Sequence, residues 1–398
     1  MKILLHFPAC LLTLQVIAFT AAGQSVKLSE ISEFHMQSSH VVPDPPDIIS
    51  QPGYISPVYW MPVKVPSTVL SALVRNKIYP DPYYGLNNML IPDASDEFNR
   101  QYDLEKYSHL PGLPNPWSKP YWFRTEFNVP EDDEGKHFEL IFKGINYRAG
   151  VWLNGKQIAD SSEMAGMFAE YRFDISGKII AGGKNALAVK IYPLDYPGLP
   201  DTEQLEAMGD FYLNGGKTGD IGKNVTMLCS VGWDWIPPVR DRNIGIWQPV
   251  YLRTSGQVVI DKPKVITNLP ALPDTATAEV SISFGVKNFS THTARGRITV
   301  SLIPETFSGS KVSFTKELTL DPGAAREVTY NKTNTSELTI KNPVLWWPNG
   351  YGKPHLYRII ISYHGQNEGS DEVSFLTGIR TVATKAVQVN GTWRRDFY

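Results

Sequence analysis

Apolar residues recur at every second position through Tyr121 to Val129 and through His137 to Lys143, and Ala149 to Leu153 runs into Asn154-Gly155. Period-two alternation sets one face of an extended chain against a core, and Asn-Gly between two such runs predicts a hairpin returning through Lys156 to Ala159. Phe168 to Ile175 and Asn185 to Tyr192 continue the series, separated by the turn Ala181-Gly182-Gly183. Upstream, Tyr59 to Pro66 reads as an extended run closed by proline, and Ser67-Thr68 can cap a short helix over Val69 to Val74. Short strands, few helices and frequent Gly or Pro turns predict a two-sheet β-sandwich of the jelly-roll kind. A second set follows at Thr277 to Asn288, Arg295 to Ile303, Ser310 to Leu320, Ala325 to Asn331 and Leu356 to His364, with Asp321-Pro322-Gly323 as a turn. Its spacing fits an immunoglobulin-like sandwich, so the fold class is all-β.

These patterns divide the chain into a signal peptide at 1–23, an irregular, loosely packed lead-in at 24–56, a jelly roll at 57–255, an immunoglobulin-like sandwich at 256–380 and a closing segment at 381–398. Lys2 supplies the positive start of the signal, Ile3 to Ala22 are mostly apolar, and small residues precede Gln24. His6, Pro8 and Gln15 interrupt the apolar run and no stop-transfer pattern follows, which favours export over a membrane span. Cys10 lies inside that signal, so the mature chain keeps Cys229 alone and forms no internal disulfide. An exported chain not built on disulfides points to a bacterial periplasm or cell surface.

Composition narrows the partners. The 398 residues are 42% hydrophobic, enough for sizeable cores, and a net charge of −2 gives no electrostatic pull toward nucleic acid or anionic membrane. Aromatic residues make up 12%, which suits sandwich cores and carbohydrate surfaces alike. The eight histidines show no ligand-like spacing, and no C-x-x-C, H-E-x-x-H or G-x-S-x-G occurs, so neither a metal nor another cofactor is expected.

The densest chemistry lies in Val231 to Leu252, where Trp233, Asp234, Trp235, Arg240, Asp241 and Arg242 surround two prolines that exclude a helix. Two readings stand. Indole rings stack on the C–H face of a sugar while Asp and Arg bond its hydroxyls; alternatively the tryptophans form a buried cluster and the Arg–Asp pairs satisfy each other. The loop Pro80 to Asn87, with Asp81, Tyr83, Tyr84 and Asn87, is a second place to hold a polar ligand, or a turn that braces its neighbours. Tyr196 to Lys223, rich in glycine and weakly periodic, reads as a long irregular excursion. Glu368 follows an asparagine, as acid catalysts of glycosidases often do, but its polar turn offers nothing to desolvate it, so it is rejected as a catalyst.

An ordered set of motifs resembles the N-terminal half of a family 2 glycoside hydrolase. It comprises Trp60, Val65-Pro66, Thr68 to Leu70, Asp81 to Asn87, Tyr121 to Arg124, Asn146 to Gly155, Gly232 to Trp235, Asp241 to Trp247, Trp347 to Gly352 and Gly378 to Arg380. The likeness runs from about residue 50 to 385 and is nearer the β-mannosidase and exo-β-glucosaminidase branch than the β-galactosidases. The resemblance implies a sugar-binding jelly roll, an immunoglobulin-like sandwich and then a (β/α)₈ barrel with two catalytic glutamates working by retention. It also implies that Asp234 and Trp235, with Trp233, Arg240, Asp241 and Arg242 nearby, help recognise the non-reducing sugar of a β-linked oligosaccharide or glycoconjugate. Asp81 and Asn87 are further contributors or braces.

The sequence ends where the barrel's first strand is expected, and a barrel needs about 200 residues or more. The expectation is therefore that this chain holds no catalytic residue, is inactive alone, and packs on a barrel outside it. The alternative is a stand-alone secreted carbohydrate-binding protein.

Overall fold

Alternation in Tyr121 to Val129 has a direct structural counterpart: Tyr121 and Phe123 enter the main core, while Trp122 packs in a separate cluster. The computed structural model describes residues 26–94, 115–195, 224, 226, 239–366 and 369–397. Residues 1–23, expected as a signal peptide, the stretch Tyr196 to Lys223, expected as an irregular excursion, Cys229 and Glu368 lie outside the described residues. The chain divides at Gln257/Val258 into two units.

In the first unit, β1 (Lys27–Glu30), β2 (Glu33–Ser38), a single-turn α1 (Pro46–Ile49), β3 (Met61–Lys64) and β4 (Ser67–Thr68) lead to α2 (Val69–Arg75). Next come β5 (Tyr121–Asn128), β6 (His137–Phe142), β7 (Arg148–Leu153), β8 (Lys156–Ala159), β9 (Tyr171–Asp174), β10 (Lys184–Tyr192), β11 (Gly245–Ile246) and β12 (Val250–Ser255). One sheet has the order β1-β12-β6-β9 and the other β3-β2-β5-β10-β7-β8, with β4 and β11 forming a small third pair. Phe34, Phe123, Val151 and Val189 of the six-stranded sheet meet Leu140, Phe142, Val250 and Leu252 of the four-stranded one in a single core. This is the jelly-roll sandwich.

The hairpin at Asn154-Gly155 forms as its sequence predicts. Both residues have positive φ, at 52° and 77°, and a Cβ on Gly155 would meet Gln51 Nε2 at 2.0 Å. Thr68 caps α2 by accepting the Ser71 N–H at 3.1 Å. The end of the aromatic stretch forms two strands, β11 and β12, interrupted at Trp247-Gln248-Pro249, because proline cannot donate to a ladder. The lead-in at 24–56 also departs from expectation. Rather than lying loose, it supplies β1 to one sheet and β2 to the other, with Phe34 and Met36 fully buried. Its polar look arises because β2 alternates, leaving Glu33, His35 and Gln37 off the core face.

The second unit is the immunoglobulin-like sandwich. It holds β13 (Val258–Asn268), β14 (Thr277–Asn288), β15 (Ala294–Pro304), β16 (Val312–Leu320), β17 (Ala325–Tyr330), β18 (Thr339–Lys341), β19 (Tyr357–Gly365) and β20 (Ser370–Thr377). One sheet runs β13-β14-β17, with β18 also on β14, and the other β16-β15-β19-β20. Buried Asp371 on β20 accepts the Ile260 N–H of β13 at 2.6 Å, and Asn288 ties β14 to the carbonyls of Leu320 and Asp321. The closing segment forms a hairpin, β21 (Thr384–Val389) and β22 (Thr392–Phe397), turning at Asn390-Gly391.

One polar knot in the jelly roll ties residues 49–53 to its six-stranded sheet. Arg124 on β5 donates to the carbonyls of Ile49 and Gln51 and to Glu126, which also accepts the Gly53 N–H. Burial pushes the Glu126 carboxyl up, but hydrogen bonds from Arg124, Lys184 and Gly53 outweigh it and hold the pKa at about 2. A carboxyl lowered in the folded state stabilises fully above its unfolded value, 4.5, and loses that contribution as pH falls toward 2. Glu126→Gln is therefore expected to show a shallower loss of stability over that interval than the unmodified chain, measured as urea midpoints at stepped pH.

Candidate functional site

The described end of the aromatic and charged stretch, Val239 to Trp247, is built around a buried carboxylate that sequence reasoning passed over. Asp93 receives both terminal nitrogens of Arg242, each at 2.9 Å, and Arg240 Nη1 at 3.3 Å. Arg240 Nε donates to the Asn88 carbonyl at 3.0 Å and reaches the Asn88 side chain at 3.3 Å. The Ala94 N–H donates to the Arg240 carbonyl, closing the ring of contacts. The two stretches that looked separate in the sequence, Pro80 to Asn87 and Val231 to Leu252, are thus joined through Asn88 and Asp93, which follow the first, to Arg240 and Arg242 within the second.

Asp241 faces a different element. Its carboxylate accepts the Leu70 N–H in the first turn of α2 at 2.8 Å and the Asn243 N–H at 2.8 Å. Burial pushes this carboxyl up to about 6, against the pull of those two donors, the Thr68 hydroxyl and Arg242. Arg242 and Asn243 both adopt positive φ, 52° and 61°, and Gly245 at 149° lies so close to β4 that a Cβ would meet the Ser67 carbonyl oxygen at 2.5 Å. Left-handed backbone at a non-glycine residue costs of order 1 kcal/mol, and the bidentate Asp93–Arg242 pair holds the turn in it. Asn146 secures the other side by donating to the carbonyls of Arg242 and Asn243 at 2.8 and 3.1 Å.

Arg240, Asp241 and Arg242 are 2%, 0% and 1% exposed. The two arginines share the Asp93 carboxylate, and Asp241 is held by backbone N–H groups. In this domain their charges are spent on shaping the backbone. Burial lowers the Arg240 pKa, with Asp93 acting to raise it. Asp81 and Asn87 brace their own loop: Asp81 Oδ1 accepts the Tyr83 N–H at 2.9 Å, and the Asn87 amide donates to the Asp81 carbonyl at 3.0 Å. That loop presents Tyr83 and Tyr84 at 95% and 78% exposure. Trp233, Asp234 and Trp235 lie outside the described residues. Among the described residues no cluster of His, Cys, Asp or Glu could hold a metal, and no helix is long and apolar enough to cross a membrane.

Asp93 and Asn88 escaped the sequence reading because Asp93 stands 149 positions from Arg242, with no motif linking them. The available signal was chemical: two arginines flanking one aspartate, in a segment rich in tryptophan, call for a second carboxylate if buried.

Comparison with known proteins decides the affiliation. Residues 114–248 match the galactose-binding-like domain of glycosyl hydrolase 2, and residues 258–380 match the glycosyl hydrolases family 2 model, in that order. The chain belongs to glycoside hydrolase family 2. A mannosylglycoprotein endo-β-mannosidase of Lilium longiflorum is 33% identical over 339 residues, 83% of this chain and 31% of that protein. An exo-β-D-glucosaminidase of Streptomyces avermitilis is 29% identical over 366 residues, 91% of this chain and 33% of the relative. The crystal structure of the Amycolatopsis orientalis exo-chitosanase CsxA superposes with a TM-score of 0.68 at 26% identity, over 94% of this chain and 36% of that one. The chain therefore spans about a third of the length of these family 2 relatives.

Removing the Asp93 carboxylate would leave two buried guanidinium groups without their shared partner. Asp93→Ala is expected to lower the unfolding free energy by about 3–5 kcal/mol, read from urea denaturation. Asp81→Ala, in an exposed loop, is expected to cost less than about 1 kcal/mol by the same measurement.

Proposed function

We propose that these two domains are the sugar-recognising front of an exo-acting β-glycosidase of the β-mannosidase or exo-β-glucosaminidase type. Its substrate is a β-linked oligosaccharide or glycoconjugate. Hydrolysis belongs to two glutamates of a (β/α)₈ barrel that the domains pack against, acting as acid/base and nucleophile in a retaining mechanism. The observation that carries this reading is the succession of the two family 2 domains, in order, on one chain.

Trp235 and Trp233 supply stacking faces and Asp234 hydrogen-bonds the terminal sugar's hydroxyls, while Arg240, Asp241 and Arg242 act as positioning residues that fix the turn following them. The burial of these three side chains and their protein partners support this division. The N-terminal segment directs export, with cleavage before Gln24, to a periplasm or cell surface.

The 398-residue chain alone is expected to hydrolyse neither an aryl β-mannoside nor an aryl β-glucosaminide, whereas a native product large enough to add a barrel hydrolyses one of them. Antibody detection in the source cells gives the native size, and chromogenic assays give the activity. Turnover by the short chain that survives controls for contaminating enzyme would sink the proposal. A native species of the short chain's size that still binds sugar would replace it with a stand-alone binding protein.

A further inference from the structure

The outer face of the six-stranded sheet carries a second group of aromatic and polar side chains, sharing no residue with the arginine turn. Successive residues of a strand point to opposite faces, so Trp122, Arg124 and Glu126 on β5 lie opposite the core residues Tyr121, Phe123 and Phe127. His35 on β2 stands beside Arg124 in register. Trp122 joins Trp60, Trp152 and Ile49 in an apolar cluster distinct from the main core. Beside it is a pocket of about 270 Å³ lined by His35, Tyr54, Ser56, Tyr59, Trp60 and Arg124.

This pocket is built from fixed groups. Arg124 is anchored through Nε to the Ile49 carbonyl at 2.8 Å and through Nη2 to the Gln51 carbonyl at 2.9 Å and Glu126 at 2.6 Å. Its guanidinium carbon lies 5.4 Å from the centre of the Tyr54 ring. These bonds use Nε and Nη2 and leave Nη1 able to donate. Tyr54 gives its hydroxyl to Asp44 at 2.7 Å, and Trp60 gives its indole N–H to the Ser56 hydroxyl at 2.8 Å, so neither ring is free to turn away. Tyr59 is 72% exposed.

The charge balance selects the ligand class. Glu126 already neutralises Arg124, so the pocket is no anion trap. No carboxylate lines it, so nothing there holds a cation. What remains is ring faces for stacking and a few donors and acceptors for hydroxyls. At about 270 Å³ it falls just below the roughly 300–1,000 Å³ typical of pockets for drug-sized ligands, a size suited to one sugar ring.

We propose that this pocket is a second saccharide-binding site, taking one neutral hexose unit of a β-linked glycan, with Tyr59 stacking on the ring and Arg124 Nη1 and His35 bonding its hydroxyls. It goes beyond the catalytic reading, since it needs neither the barrel nor Trp233 to Trp235.

Isothermal titration of the 398-residue chain with β-1,4-mannobiose tests it, with a β-1,4-linked glucosamine dimer as the cationic comparison. Mannobiose is expected to saturate with a Kd of about 1 mM, since a single ring in a shallow pocket buries little surface. The glucosamine dimer, positively charged at pH 6, is expected to bind at least about tenfold more weakly, because no carboxylate lines the pocket to receive an ammonium group stripped of water. Tyr59→Ala and His35→Ala, both at exposed positions, are each expected to weaken mannobiose at least about tenfold while the melting midpoint stays in place. Absence of saturable binding in the unmodified chain, or unmodified affinity in Tyr59→Ala, overturns the proposal. These results are independent of whether the full-length enzyme hydrolyses any aryl glycoside, so the two readings fail separately.

Discussion

The Asp93 carboxylate, shut away from water between Arg240 and Arg242, is the interaction on which the rest of the candidate site depends. A lone carboxylate could not stay charged there, and neither guanidinium could be buried without it. The three groups therefore stand or fall together. Such a group gains little net stability over well-packed apolar residues, because desolvation consumes most of the Coulombic attraction. What it supplies is definition. It fixes where Asn88 and Ala94 lie against Val239 to Gly245, and it holds Arg242 and Asn243 in a backbone conformation that side chains rarely adopt.

That arrangement separates two duties which the sequence places side by side. Arg240, Asp241 and Arg242 adjoin the tryptophans of Val231 to Trp235, and charged residues next to aromatic ones suggest ligand contact. Their burial and their protein partners instead make them the frame of the turn, with the arginines' carboxylate coming from Asp93, outside that stretch. The exposed groups are elsewhere, on the loop of Tyr83 and Tyr84 and on the aromatic pocket around Tyr59.

Much of the architecture was legible because β-strands advertise themselves by period two. The strands from Tyr121 to Tyr192, the Asn154-Gly155 turn and the Thr68 cap could all be read from local residues. The lead-in could not, since β1 and β2 are short, punctuated by prolines downstream, and paired with partners far along the chain. Asp93 failed for the same reason: its meaning lies in a contact across 149 positions, and 40 acidic residues give no local means of choosing it. The pocket around Tyr59 is a third case, since β2, β5 and the segment between β2 and β3 must assemble before their side chains share a space.

The pairing of β1 with β12 has a consequence for how the jelly roll comes into being. Lys27 to Glu30 finds its hydrogen-bonding partner only in Tyr251 to Thr254, at the opposite end of the domain. Until that last strand has been synthesised, β1 has no ladder to join, and β6 lacks its neighbour on the same side. Closure of this sheet is therefore a late, long-range event, the kind of topology that folds slowly. A nascent chain halted anywhere before residue 250 would expose an unpaired sheet edge, the surface most prone to sticking to another chain.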